Sequence, residues 1–163
     1  MRLIHAFLVA LLISACSPSA TTAASGQAQE AAQPRTAHPV SGLPVIPLII
    51  KHGAVRHQFQ VELAKSRLEQ AKGLMFRIEM GADEGMLFPM EPPRDASFWM
   101  KNTVIPLDMI FIGVDHRILN IEANAVPYSE EPRRSAGTAI GVLELNGGRA
   151  AQLGISVGDK VDW

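Results

Sequence analysis

The feature that most constrains this chain is a strict two-residue alternation from Ala54 to Leu63. Val55, His57, Phe59, Val61 and Leu63 share one side, and Arg56, Gln58, Gln60 and Glu62 share the other. A period of two belongs to an extended strand with one buried face, because a helix repeats its faces only about every 3.6 residues. Val45 to Lys51 reads as a preceding strand, and His52-Gly53 as the turn that joins the two.

Most of the chain beyond Leu63 also reads as strand. Gly85 to Met90, Ser97 to Lys101, Leu107 to Ile112, Arg117 to Val126, Thr138 to Leu145 and a final Lys160 to Trp163 are short apolar or alternating runs. Asp115-His116 supplies a hairpin turn. In Arg117 to Val126 the alternation predicts Leu119, Ile121, Ala123 and Ala125 inward, with Asn120, Glu122 and Asn124 outward. Tyr128 to Ser135 reads as a solvated loop. Helical signals are few. Ser66 with Glu69 makes a capping box that opens a short helix ended by Gly73, and Gly148 to Leu153 reads as one further turn. Closely spaced strands without βαβ alternation predict a mainly β (α+β) domain, compact, antiparallel, and either barrel-like or two-layered, with one or two short helices.

The beginning of the chain carries a different signal. Arg2 is followed by an apolar run from Ala6 to Ile13, then by the small residues Ser14 and Ala15, the plan of a secretory signal too short to span a bilayer. Ile13-Ser14-Ala15-Cys16 looks like a bacterial lipobox, which predicts cleavage after residue 15 and acylation of Cys16. Cys16 is the only cysteine, so an exported domain has no disulfide framework and its one thiol stands where a lipid would be attached. Two or three acyl chains hold a protein durably to a membrane, whereas one holds weakly. Ser17 stands where an aspartate would, in the proteobacterial sorting pattern, suggest inner-membrane retention. The expected location is therefore periplasmic, membrane-anchored, with the outer membrane favoured. Residues 16–42 are rich in Ala, Ser, Thr, Gln and Pro and read as a lipidated cysteine with a flexible tether, His38 included as a solvated residue. Residues 43–163 then form a single globular domain.

Charge excludes some partners. The formal net charge is −1, and removing residues 1–15 takes away Arg2 alone, giving −2 with acids and bases interspersed. Without a Lys/Arg cluster the chain has no footprint for nucleic acid. His5, His38, His52, His57 and His116 show no metal-ligand spacing, which predicts no metal site. Met75, Met80, Met86, Met90, Met100 and Met109 lack an M-x-x-M cluster and read as core filling. With the sole thiol lipidated, and with no G-x-S-x-G elbow, phosphate loop or dinucleotide fingerprint, the sequence calls for no cofactor and no nucleophilic cysteine or serine.

The run Phe98-Trp99-Met100-Lys101-Asn102-Thr103-Val104-Ile105-Pro106-Leu107-Asp108 resembles the signature of the bacterial and archaeal domain of unknown function 192. Supporting matches are Gly73-Leu74-Met75-Phe76-Arg77, Gly85-Met86-Leu87-Phe88, Val142-Leu143-Glu144-Leu145 and Gly154-Ile155-Ser156-Val157-Gly158-Asp159. The resemblance covers roughly residues 59 to 161. It implies a compact, mainly β fold and supplies no reaction.

Polar residues inside these apolar motifs are the candidate site. In Ser97 to Lys101, Trp99 and Lys101 share one side, presenting an aromatic plane with an ammonium, a pairing suited to a sugar or an anion. Asn102 and Arg77 join them as candidate ligand-binding residues. The bland alternative has Trp99 packed on the lysine stem while Asn102-Thr103 holds a turn. Asp108 and Glu144 interrupt apolar strands, where an ionised carboxylate is costly unless paired, and Arg77 and Lys101 are the expected partners. The function expected is a lipid-anchored, non-catalytic binding or accessory module of the cell envelope, with a glycan, a small anionic ligand or an envelope protein as partner. One alternative is an envelope-polymer hydrolase using Asp108 and Glu144 as acid and base. Another is a protein-protein interaction module.

Overall fold

A computed structural model describes residues 36–163, so Cys16, the signal segment and most of the expected tether lie outside the described residues. One curled sheet of seven strands forms a half-barrel, with two short helices. Its strands are β1 (Val45–His52), β2 (Val55–Leu63), β3 (Glu84–Phe98), β4 (Leu107–Gly113), β5 (Ile118–Ala125), β6 (Arg133–Asn146) and β7 (Lys160–Asp162). They lie in the order β5-β4-β6-β3-β2-β1-β7. All neighbours are antiparallel except β2 and β3, which run parallel from Gln60↔Glu84 to Leu63↔Leu87. β7 also bridges back to the start of β5 through Arg117↔Lys160.

The β1–β2 hairpin follows from its alternation: Val61 and Phe59 are buried on one face, opposite Ile46 and Leu48. Helix α1 (Arg67–Lys72) begins as its capping box requires, with Ser66 accepting from the Glu69 amide while Glu69 accepts from Ser66. It ends at Gly73, whose φ of +47° suits a residue without a Cβ. Helix α2 (Arg149–Leu153) is a single turn.

Three expectations are corrected. The separate strands Gly85 to Met90 and Ser97 to Lys101 are one long bent β3 that ends at Phe98. Its pairing with β6 shifts register between Pro89 and Arg94, where Pro92 and Pro93 have no N–H to give the ladder. The clean alternation in β5 fails because pairing with β4 slips near both ends, so Leu119 and Ile121 pack on opposite faces of the sheet. The loop expected from Tyr128 to Ser135 is shorter, since Arg133 to Ser135 already belong to β6.

Both faces of the sheet are apolar. Leu48, Phe59, Val61, Leu87, Ile110 and Leu143 fill one core together with Ala150 of α2. Met86, Phe88, Met109, Phe111 and Val142 fill the other beneath Leu74 and Met100. At Gly85 the two central strands come so close that a Cβ would stand 2.6 Å from the Glu144 carbonyl oxygen, which only glycine permits. The second face positions the candidate site.

Candidate functional site

A cleft of about 370 Å³ opens on the second face, between the end of α1 with its following loop and the far half of β3. Phe88, Met90 and Leu74 are apolar walls, and Lys72, Arg94 and Lys101 bring cationic side chains to it. Trp99 stands at the rim, 48% exposed. The expected alternation of Phe98 to Lys101 holds: Phe98 and Met100 turn into the core, while Trp99 and Lys101 turn outward together. The Lys101 ammonium lies 5.1 Å from the centre of the Trp99 ring, within cation–π range. Its ion pair is loose, with Glu130 at 3.9 Å. Lys72 and Arg94 form no ion pair with a described residue.

Glu144 lies in the same cleft, only 4% exposed, and no described group donates a hydrogen bond to it. Its strand position explains this. Residues 142 and 144 of β6 face the second core, beside Met86 and Met109, so the carboxyl enters an apolar layer at the point where the cleft reaches it. Burial pushes it up to about 8, and at neutral pH it is mostly protonated. A carboxyl held this way donates one hydrogen bond, or ionises only for a partner that brings positive charge.

Arg77 and Asn102 stand elsewhere. Arg77 is buried and makes a bidentate pair with Glu62, at 2.8 and 3.0 Å, so its expected pairing with Asp108 or Glu144 is corrected. Ser41 also bonds Glu62, and His38 lies 3.6 Å from it. His38, read from sequence as solvated, is 8% exposed. Asn102 makes a turn: its φ is +54°, its carbonyl accepts from the Phe76 amide at 2.8 Å, and its side chain reaches the Met75 sulfur. It binds the loop after α1 to the signature segment and does not line the cleft.

Asp108 and Glu144 do not converge. Asp108 pairs with Leu145 and Met109 with Glu144, so side-chain alternation sends the two carboxyls to opposite faces of the sheet. Asp108 is fully buried and accepts from the amides of Asn124, Gly148 and Ala150 at 2.8, 2.9 and 2.8 Å. Three backbone donors occupy it as the anchor of the α2 turn. Lys101 reaches neither Asp108 nor Glu144.

Residues 48–163 match the sequence profile of DUF192, described as an uncharacterized ACR. The chain belongs to the DUF192 family. The match reaches back beyond the signature motifs to include most of β1. A protein of unknown function from Novosphingobium aromaticivorans DSM 12444 is similar, with 58% identity and a TM-score of 0.78 over 82% of this chain and 95% of that one. A structure described as a putative transcription regulator from Sinorhizobium meliloti 1021 is 40% identical, with a TM-score of 0.72 over 74% and 94%. No curated protein matches.

One further cluster in the DUF192 domain has the residue types of a hydrolase. His52 Nδ1 lies 2.9 and 3.1 Å from the Asp159 oxygens, and the Ser156 hydroxyl is 3.5 Å from the same nitrogen. A nucleophilic triad needs the carboxylate and the hydroxyl on different ring nitrogens, so that the base can take a proton on the side facing the serine. Here both use Nδ1, and Asp159 also accepts from the Ser156 amide at 2.8 Å, which makes the group a clamp on the turn before β7. Among the described residues no three His, Cys, Asp or Glu side chains gather to hold a metal. Sequence reasoning missed two residues here: Arg94, placed in the cleft by the bend of β3, and Glu62, the buried partner of Arg77 on the polar side of a clean alternation.

Proposed function

We propose that this DUF192 protein is an envelope lipoprotein whose folded domain binds a small ligand, without turnover, in the cleft bordered by Trp99 and Lys101. One observation carries the reading. A buried carboxyl that accepts no hydrogen bond from a described residue, Glu144, shares that cleft with three cationic side chains, of which Lys101 is only loosely paired and Lys72 and Arg94 form no ion pair with a described residue. Unspent polar groups gathered beside apolar walls and an exposed tryptophan are the composition of a ligand site. A glycan or a small anionic molecule suits the aromatic plane and the cations. Acid and base catalysis by Asp108 with Glu144 is disfavoured, because the two face away from each other and Asp108 is committed to backbone donors. Attachment to the membrane rests on the lipobox-like Ile13-Ser14-Ala15-Cys16.

The test is a thermal-shift screen against glycans, peptidoglycan fragments and small anions, with Trp99→Ala alongside. A ligand at a hundred times its Kd stabilises by about 2.7 kcal/mol, a shift of several degrees in a domain this size. The expected result is a shift in wild type that is absent from a folded Trp99→Ala. Equal shifts in both would remove the cleft as the site. For the anchor, Cys16→Ala should move the protein out of the membrane fraction.

A further inference from the structure

We propose that the ligand of this cleft is a zwitterion, with an ammonium seated against Glu144 and an anionic group held by Lys101 and Arg94. The inference rests on the cleft being the binding site and adds the chemical class of what binds there.

The charged groups that line the cleft with Glu144 come from four places in the fold. α1 brings Lys72, β3 brings Arg94 and Asp95, the turn after β3 brings Lys101, and β6 brings Glu144 itself. Asp95 is partly engaged, with the Thr138 hydroxyl at 3.4 Å. An anion alone satisfies the cations and leaves Glu144 buried without a partner. A cation alone satisfies Glu144 and crowds the three bases. A molecule carrying both charges a few ångströms apart meets both needs, and its aliphatic linker can lie along Phe88 and Met90. A bare anion also gives no reason for a carboxyl at this depth, whereas an ammonium turns it from a cost into a charge-assisted hydrogen bond.

Such binding moves a proton. Burial raises Glu144 to about 8, so without a cationic partner it is mostly protonated at neutral pH. An ammonium arriving against it favours the ionised form, so the carboxyl releases its proton to solvent as the pair forms. The ligand keeps its own protons.

The experiment is isothermal titration calorimetry at pH 7 on the full chain in detergent, repeated in buffers of different ionisation enthalpy. Phosphoethanolamine is the zwitterionic probe, 2-hydroxyethyl phosphate is the same anion with a hydroxyl in place of the ammonium, and ethanolamine is the cation alone. The expected result is that phosphoethanolamine binds at least about tenfold more tightly than either half and releases close to one proton. In Glu144→Gln the preference for ammonium over hydroxyl and the proton release should both vanish. Glycerophosphoethanolamine and glycylglycine identify the source, a tighter fit for the first indicating a lipid headgroup and for the second a peptide. Should 2-hydroxyethyl phosphate bind as well as phosphoethanolamine, with loss in Trp99→Ala, the zwitterion is overturned while the cleft stands. If no probe binds, the zwitterion is overturned, and the cleft stands or falls on the thermal-shift comparison of wild type with Trp99→Ala.

Discussion

Arg77 holds Glu62 with both ends of its guanidinium, Nη1 to Oε1 at 2.8 Å and Nη2 to Oε2 at 3.0 Å, and both side chains are under a tenth exposed. Glu62 comes from the polar side of β2 and Arg77 from the loop after α1, so the pair ties that loop to the sheet. Breaking a buried pair from one side leaves the other charge uncompensated, at a cost of about 3–5 kcal/mol. Glu62→Gln should therefore lose most of the folding stability in urea denaturation. Glu62→Leu with Arg77→Met, which removes both charges, should lose clearly less. Equal losses would show that packing around Arg77, and not the charge pair, holds the loop.

Asp108→Asn is the test of the α2 anchor. The carboxylate meets three N–H donors, from Asn124, Gly148 and Ala150. An amide offers one oxygen to them and turns its own N–H₂ toward the rest. Losing one or two hydrogen bonds to a charged group costs about 2–4 kcal/mol. The expected outcome is a melting point lower by several degrees with ligand binding in the refolded protein unchanged. Loss of binding at full stability would bring back a functional role for Asp108.

How far the sequence foretold the fold depends on how local each feature is. The β1–β2 hairpin and the Ser66–Glu69 capping box were legible because the first is closed by a tight turn at His52–Val55 and the second joins residues three apart. The parallel pairing of β2 with β3 was not, since it is set by where α1 and its loop deliver the chain. β5 misled because slips in register near both of its ends reverse which side chains face the core, and nothing in Asn120 to Asn124 marks them. In the site, Trp99, Lys101 and Glu144 could be picked out as polar or amphipathic residues inside apolar motifs, and the fold brings them to one cleft. Arg77 and Asp108 gave the same signal for a structural reason. A buried charge looks alike in sequence whether it waits for a ligand or already has its partners.

Trp99→Ala should separate binding from folding. The ring is nearly half exposed and it stacks with the half-exposed Lys101. Surface cation–π contacts contribute about 0.5–1 kcal/mol. The variant should fold with a melting point within a few degrees of wild type and lose ligand-induced stabilisation. A collapse in stability would recast Trp99 as a structural cover of the second core.

Glu144 makes stability depend on pH in a direction opposite to most carboxylates. Its ordinary value is 4.5 and its folded value about 8, so between the two the folded chain keeps a proton that the unfolded chain has lost. This contribution is fully present below the unfolded value, is lost as pH rises toward 8, and changes no further above it. The slope approaches about 1.4 kcal/mol per pH unit, which amounts to several kcal/mol across the window. Glu69 and Asp162 are lowered by their hydrogen bonds and act in the opposite sense, but they are common to wild type and variant. Denaturation of wild type and Glu144→Gln at about pH 4, 6 and 9 therefore isolates the one group. Glutamine mimics the protonated acid, so the two proteins should be close in stability at the lowest pH and the variant should be the more stable by several kcal/mol at the highest. Curves that stay parallel would mean that water or solute in the cleft already satisfies the carboxylate, and the motive for an ammonium ligand would go with it.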